Sequence, residues 1–271
     1  MAVYSPSSTL GPPMALVVAG YIALDLSWRW IFWVLMAITG GFWVLLVATI
    51  PETRHTTILQ KKTQRVKKQM QAESLATAQS ITDANADDRK GLRSLFAVTL
   101  TRSFHFLFTE PITFFAAIYN GFLYGLVYLF NEAFPLVFGP GEGHGFNVGQ
   151  IGLSFLGLAI GPLVAFCFYP LQEHYYLSRV AKNDGKGVPE ARMWMARVGA
   201  IFIPVSLFWF AWTSYSSVHW VVPIIASGLF GAGIYIIILS ILNYVVDAYQ
   251  TYSASALAGV ILVRNVVGAG L

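Results

Sequence analysis

This sequence of 271 residues has few charged side chains and a single cysteine. Charged residues make up 11% of it, whereas an average soluble domain has about 25%. Hydrophobic residues make up 56%, and the mean hydropathy is +0.62, which indicates an integral membrane protein. Cys167 stands alone in an apolar run, so an intrachain disulfide is excluded.

The sequence also lacks the motifs of common enzymes and metal proteins. It contains no Walker loop, no zinc-ligand cluster and no nucleophile elbow, so we expect no enzyme activity, no metal and no cofactor. Residues 1–8 lack the basic segment of a cleavable signal peptide. The net charge of +4 does not indicate nucleic-acid binding, because the basic residues lie in loops between apolar runs.

Long apolar runs alternate with polar segments, and each run is long enough, or nearly so, to cross about 30 Å of hydrocarbon as a helix. The predicted spans are residues 10–26, 30–50, 111–131, 150–170, 198–213, 220–242 and 253–271. The last two form a hairpin with a polar turn at residues 243–249. Gly157 and Gly161 in the fourth span have the small-xxx-small spacing typical of packed membrane helices.

Basic residues are concentrated in two loops. The segment 51–110 has ten Lys or Arg and is predicted to be a long loop, partly disordered, with an amphipathic helix near residues 92–106. The segment 171–197 has five and is predicted to be a second basic loop. The connectors 139–149 and 213–219 have none, so the positive-inside rule puts both basic loops on the cytoplasmic side. The basic cluster from Lys61 to Lys68 fits an orientation signal that contacts anionic lipid, with a specific regulatory site as the alternative.

The first apolar run follows Met1 almost directly, and the last one reaches Leu271 without a polar cap. From this pattern we expect both ends to be cut from a longer protein.

Several motifs resemble the fungal drug:proton antiporters of the major facilitator superfamily with twelve spans, in the polyamine and multidrug branch. They are Gly11-Pro12-Pro13 through Gly20-Tyr21-Ile22, Trp28-Arg29-Trp30, Pro51-Glu52-Thr53-Arg54, Tyr124-Gly125 with Tyr128 to Pro135, Pro189-Glu190-Ala191-Arg192, Asn243-Tyr244 through Asp247-Ala248-Tyr249, Ala254 to Ala258, and Arg264. The resemblance covers nearly all of the chain except residues 60–90.

The resemblance implies an all-α polytopic protein with an incomplete major facilitator fold, holding about seven of twelve helices. Residues 1–50 would then be two helices of the N-terminal bundle, 51–110 a cytoplasmic loop, and 111–271 five helices of the C-terminal bundle. In the antiporter motif that contains Gly11, Pro12 and Gly20, Ala15-Leu16 replaces a second Gly-Pro pair of the family, and Ala19-Gly20 replaces Gly-Gly. Larger side chains there predict a looser contact with the other half of the transporter.

Two ionisable residues lie in or beside spans, where a charge is costly and therefore often functional. Glu132 lies roughly 31 Å along a helix from Pro111, near its outer end. It fits either a proton-binding carboxylate or an interfacial one in water. Arg264 lies near the middle of the last span, so we expect it to face the bundle interior and to pair with a carboxylate or with backbone carbonyls. Glu132 is one candidate partner, and substrate contact is the alternative role for Arg264.

Polar side chains four residues apart share a helix face. Asn120, Tyr124 and Tyr128 have this spacing, which fits either a cavity wall that stacks on flat or cationic substrates or hydrogen bonds between helices. Asn243 and Asp247 have the same spacing at the cytoplasmic end of a span, where a gating or capping role is favoured over substrate binding.

The resemblance implies export of small hydrophobic or cationic compounds, such as drugs and polyamines, driven by the proton gradient through alternating access. The expected partners are the substrate, protons, membrane lipid and the missing helices of the parent transporter, with no nucleic acid. The plasma membrane is the location typical of the family, and the vacuolar membrane is the alternative. A non-transporting remnant of such a transporter is a second hypothesis, and a seven-helix receptor is a less favoured third.

Overall fold

The computed structural model describes residues 4–49, 62–64, 66, 92–141 and 143–270, and every regular element in these ranges is helical. The helices are α1 (Tyr4–Asp25), α2 (Arg29–Thr49), α3 (Leu92–Thr109), α4 (Pro111–Phe138), α5 (Val148–Ser154), α6 (Leu156–Cys167), α7 (Tyr169–Ala181), α8 (Trp194–Thr213), α9 (Val221–Tyr249) and α10 (Ser253–Gly270), with 3-10 turns at Pro189–Met193 and Gln250–Tyr252. Most of the predicted loop 51–110, including most of its basic cluster, lies outside the described residues.

The chain separates into two compact units, one formed by Met1–Ile31 with Thr101–Leu271 and the other by Phe32–Leu100. In the second unit α2 dominates the described residues. None of the side chains of α2 is buried, and several of its large apolar residues, among them Trp33 and Trp43, are more than half exposed. Such a surface suits contact with lipid.

Within the part of the chain that the structure describes, five helical stretches are long and apolar enough to cross a membrane: Arg29–Thr49, Pro111–Phe138, Val148–Ala181, Pro189–Thr213 and Val221–Tyr249. Two shorter apolar helices, Leu10–Asp25 and Ser253–Gly268, accompany them. All seven predicted spans are therefore helical, and the break predicted between the first two is present at residues 26–28.

Helix α4 is longer than predicted. It begins at Pro111, where a missing N–H costs nothing, and it continues to Phe138 rather than ending at residue 131. Phe130, Phe134 and Phe138 form a continuous buried stripe, and this burial carries the helix past the polar pair Asn131-Glu132. Gly139 and Pro140 follow directly and end it.

Stacked phenylalanine rings join four segments at one end of the larger unit. Phe134 stacks on Phe155 with ring centroids 4.1 Å apart, and Phe130 stacks on Phe230 at 4.3 Å. Phe210 of α8 lies 4.6 Å from Phe130. Each of these rings is at most 6% exposed, so together they form the main hydrophobic core between α4, α6, α8 and α9.

Glycines bring α6 and α8 against α9 at backbone distance. A Cβ at Gly161 would collide with the carbonyl oxygen of Gly228, and one at Gly157 would lie 2.6 Å from that of Ile224. On the other side of α9, a Cβ at Gly199 would lie 3.1 Å from the carbonyl oxygen of Gly233. The packing role predicted for Gly157 and Gly161 is confirmed.

The polar turn predicted at residues 243–249 is wrong, because α9 continues as a helix to Tyr249. Tertiary contacts hold this last polar turn in the helix: Asp247 accepts a hydrogen bond from Arg192, and the ring of Tyr249 lies edge-on against Phe106 at 5.3 Å. The chain turns instead at Gln250–Tyr252, where Gln250 takes a positive φ of 40°.

The second basic loop, predicted over residues 171–197, is also wrong for most of its length. After a kink at Phe168 the chain continues as α7 to Ala181, and only residues 182–188 form an irregular connection before the 3-10 turn and α8. Pro170 lies in the first turn of α7, where proline is compatible with a helix. The basic residues therefore lie mainly on short helical surfaces.

Gly161→Ala should separate α6 from α9, because the added methyl group occupies the position of the Gly228 carbonyl oxygen. We expect the unfolding free energy of the purified chain in detergent to fall by about 1–3 kcal/mol, measured as a lower thermal midpoint by intrinsic fluorescence. Gly40→Ala is the matched control, because no described atom lies within 4 Å of the added position. Equal midpoints for the two variants would contradict a close α6–α9 contact.

Candidate functional site

Helices α4 and α10 pack side by side and form a contact surface that we call the α4–α10 seam. Gly121 of α4 faces Val263 and Val267 of α10, with a built Cβ 3.1 Å from Val267. About two turns further along α4, the ring of Tyr128 lies over Gly268, whose missing side chain leaves room for it. The seam therefore aligns the predicted polar face of α4 with α10.

Arg264 lies in this seam with its guanidinium over an aromatic ring. The guanidinium carbon is 4.3 Å from the ring centroid of Tyr124, and Tyr128 follows 6.1 Å from Tyr124. Among the described residues, the one hydrogen bond of Arg264 is a long one of 3.4 Å, which Nε donates to Oδ1 of the adjacent Asn265. Both Tyr124 and Arg264 are half-buried, so the pair is accessible from one side.

Within the described ranges, Arg264 has no carboxylate within ion-pair distance. The prediction allowed a carboxylate or backbone carbonyls as partners of Arg264, and the described residues place neither Glu132 nor another carboxylate beside it. Glu132 lies eight residues beyond Tyr124 on α4, about 12 Å further along the axis, and its side chain is exposed. In the described structure the ring of Tyr124, and not a carboxylate, lies beside the Arg264 guanidinium.

The seam lies near the middle of both helices. Tyr124 is 13 residues from the start of α4, roughly 20 Å along it, and Arg264 is 11 residues from the start of α10, roughly 17 Å along it. Both residues are therefore at least about 9 Å from either described end of their helix.

Asn120 occupies the buried side of the same helix face. It is 0% exposed, and neither its amide nitrogen nor its amide oxygen has a hydrogen-bond partner among the described residues. A buried amide without partners costs free energy. The described packing therefore gives Asn120 no hydrogen bond to a neighbouring helix. The amide can bond to a water molecule or to a bound compound.

A second polar cluster, which we call the Arg192 network, lies at the end of the bundle predicted to face the cytoplasm. Arg192 in the 3-10 turn donates from Nη1 to Oε2 of Glu173 on α7 and from Nε to Oδ2 of Asp247 on α9, both at 2.8 Å. Its guanidinium also lies 3.4 Å over the ring of Tyr176. The Arg192 side chain is only 13% exposed, so the two bonds are largely shielded from water.

Backbone anchors hold Arg192 in this position. The Gln172 side chain donates to the carbonyl oxygen of Ala191 at 2.8 Å and accepts from the Met195 N–H at 3.1 Å, which fixes the 3-10 turn against α7. Asn243 is 8% exposed and lines a small pocket together with Arg192 and Gln172. Asn243 and Asp247 thus share a face, as predicted, and that face is directed at the network.

The sequence reasoning missed Glu173, because it assigned residues 171–197 to a loop. A helical pattern was present: Gln172, Glu173 and Tyr176 lie three, four and seven residues after Tyr169. Read as one face of a helix, this pattern would have indicated a polar and aromatic contact surface.

The antiporter-motif residues of α1 have different surroundings. Gly20 packs on α5, with a built Cβ 2.9 Å from the carbonyl oxygen of Val148 and 3.4 Å from Gly152. No described atom lies within 4 Å of the equivalent position at Gly11, and Pro12 is exposed. Beside Ala15-Leu16 the two backbones are in close contact, because a built Cβ at Gly152 would lie 2.9 Å from the carbonyl oxygen of Leu16.

An apolar groove of about 640 Å³ lies between α6, α8 and α9. Its lining side chains are uncharged: Gly157, Ile160, Gly161, Val164, Ala165, Phe168, Met195, Val198, Phe202, Trp209, Ile224, Ile225, Gly228, Leu229, Ala232 and Ile236. The groove can accept a hydrophobic compound, but its lining has no charged side chain that would favour an anion over a cation.

The family model of the Major Facilitator Superfamily matches residues 1–271. The chain belongs to this superfamily. Its members are membrane transporters rather than enzymes, which agrees with a helical bundle of apolar spans and with the antiporter-like motifs. The major facilitator chain is therefore an integral membrane protein.

Similar fungal proteins carry transporter names. The efflux pump FUB11 of Gibberella fujikuroi is 33% identical over 269 residues, which is 99% of this chain and 46% of the pump. The multidrug transporter mdrA of Aspergillus fumigatus is 33% identical over 270 residues, 99% of this chain and 43% of the relative. The multidrug transporter TPO1_1 of Candida glabrata is 34% identical over 271 residues, 99% of this chain and 46% of the relative.

This major facilitator chain spans about half the length of the curated relatives it matches. No solved structure matches it.

Arg192→Gln should leave Glu173 and Asp247 close together without their cation. Because these side chains are partly exposed, we expect a loss of about 1–3 kcal/mol of unfolding free energy, seen as a lower thermal midpoint in detergent. Adding Glu173→Gln to Arg192→Gln should recover part of the loss, since it removes the repulsion. Arg179→Gln is the control, because Arg179 is exposed and contacts only Tyr175 in the described structure. A midpoint as high as that of the control would contradict the network.

Asn120→Leu should not lower the thermal midpoint, because leucine has a similar size and the amide has no partner to lose. A structural hydrogen bond at this position would instead make Asn120→Leu clearly less stable than the wild-type chain. Thr109→Val serves as the comparison for a polar group that is bonded, since its hydroxyl donates to the carbonyl oxygen of His105 at 2.6 Å.

Proposed function

We propose that this chain is part of a proton-coupled exporter of small, largely hydrophobic or cationic compounds that works by alternating access. The observation that carries the proposal is the match of the whole chain to the superfamily, together with relatives named as efflux pumps and multidrug transporters. In the superfamily two bundles rock around a site near the bilayer midplane.

The α4–α10 seam is the proposed substrate contact within this half. It lies at mid-depth in both helices and combines two tyrosine rings, a guanidinium and the unbonded amide of Asn120. Aromatic rings supply stacking area for many flat compounds, while an amide and a cation orient them. The apolar groove offers a second surface of low selectivity.

The Arg192 network is the proposed gate at the cytoplasmic end. It ties α7, the 3-10 turn and α9 together through two ion pairs, so relative movement of these elements must break bonds to a largely buried cation. Such a network favours one of two states by a free-energy difference that substrate or protons can offset. Asn243 and Asp247 have the gating role in this proposal.

Glu132 is the proposed proton-binding carboxylate. Its side chain is exposed and makes no ion pair among the described residues, so protons can reach it from the outer side. Protonation removes a charge near the end of a membrane helix, where charge is costly. The proposed location is the plasma membrane, with the vacuolar membrane as the alternative, and the proposed partners are substrate, protons, lipid and the helices that the longer relatives contain.

The test expresses the chain in yeast lacking its own multidrug exporters and measures cellular accumulation of Nile red, an uncharged hydrophobic dye. We expect less dye than in cells with an empty vector, and a protonophore should abolish the difference. Glu132→Gln should remove the dependence on external pH, whereas Glu190→Gln, an exposed carboxylate outside the proposed pathway, should not.

Accumulation equal to the empty vector, with the chain shown to be in the membrane at normal abundance, would refute export by this chain. A non-transporting remnant would then be the better description.

A further inference from the structure

We propose that the α4–α10 seam selects compounds that carry a carboxylate, with Arg264 as the residue that binds it. The inference rests on the proposed function, because it concerns the same site: it narrows the proposed hydrophobic compounds to those with a carboxylate and removes cationic compounds from this seam. It comes from the charge of the seam rather than from its aromatic rings.

Arg264 is the single full charge of α10. In the described residues, both ion pairs belong to Arg192, which has two carboxylates, whereas Arg264 has none. Glu132, the one charged residue of α4, lies two helical turns away and points to the exposed side. The net charge of the seam at mid-depth is therefore positive.

Most N–H groups of the Arg264 guanidinium have no hydrogen-bond acceptor among the described residues. It presents five N–H groups in a planar fork, and the described residues accept from Nε alone, at a long distance of 3.4 Å. The Tyr124 ring covers one face of the guanidinium but accepts no in-plane hydrogen bond. An in-plane carboxylate would fit this fork with two parallel charge-assisted bonds.

A cationic compound would bind poorly at the α4–α10 seam. The face of Tyr124 that would attract a cation is already occupied by Arg264. A second cation about 4 Å from the guanidinium would lose roughly a thousandfold in affinity through repulsion, unless Arg264 moved away. The aromatic face alone suits a cation, but with Arg264 in place the seam suits an anion.

The neighbouring groups describe the rest of the ligand. Tyr128 is 46% exposed and lies next to Tyr124, so it offers a free ring for stacking. Together these groups fit an aromatic carboxylic acid, with its ring on Tyr128 and its carboxylate on Arg264.

The experiment compares two probes that share one ring system and differ in charge, 2-naphthoate and 2-naphthylmethylammonium. Binding of the tritiated probes is measured by scintillation proximity on the purified full chain in phosphatidylcholine nanodiscs. We expect 2-naphthoate to bind at least about tenfold more tightly than the ammonium probe.

Variants assign the preference to Arg264. Arg264→Gln should weaken 2-naphthoate by about 10- to 100-fold and should strengthen the ammonium probe, because it frees the Tyr124 ring. Arg264→Lys should retain the preference for 2-naphthoate at lower affinity, since it keeps the charge without the fork. Arg179→Gln is the control for general loss of positive charge.

Any of three results would overturn the inference: equal binding of the two probes, no binding of 2-naphthoate, or an Arg264→Lys chain that prefers the ammonium probe. Arg264→Lys also answers the question if Arg264→Gln does not fold. Binding is measured without a proton gradient, so it is independent of the dye assay. Dye export without a carboxylate preference would remove this inference alone, and failure of dye export would remove the proposed function.

Discussion

Backbone contact at glycines holds α9 between its two neighbours, and the arrangement of the larger unit depends on it. In hydrocarbon, apolar side chains gain little by leaving lipid for protein, so helix association relies on close packing. Gly161 meets Gly228 on one side of α9, and Gly199 meets Gly233 on the other. These contacts place the phenylalanine core at one end of α9 and Asp247 at the other.

Hydrocarbon also makes charged groups costly. The surroundings of Arg192 and Arg264 compensate their positive charges to different extents. Arg192 is surrounded by Glu173, Asp247 and the ring of Tyr176, which compensates its charge and fixes three elements together. Arg264 has one ring and one weak hydrogen bond. The charge of Arg192 is compensated, which suits a contact between helices that forms in one transport state and breaks in the other. The charge of Arg264 is not compensated by the described residues, which suits binding of a substrate.

Much of the fold was predictable, because the length of apolar runs is a direct consequence of bilayer thickness. All seven spans are helical, and the glycine pair in α6 packs as its spacing indicated. The errors occurred where polar residues continue a helix. Residues 243–249 and most of 171–181 look like loops by composition, yet each has partners in another part of the chain: Asp247 has Arg192, and Gln172 has the backbone of the 3-10 turn. A local pattern carries no information about such distant partners.

By itself, the sequence determined the membrane setting, the positions of the spans and the shared face of Asn120, Tyr124 and Tyr128, because hydropathy and helical periodicity are local properties. Only the tertiary structure decided what that face meets. Arg264 could have paired with Glu132, but α4 and α10 pack in a register that puts the guanidinium beside Tyr124, two turns short of the carboxylate. The register of two helices is set by side-chain packing along their whole contact, here by Gly121 against Val267 and Gly268 under Tyr128. No single segment contains that information.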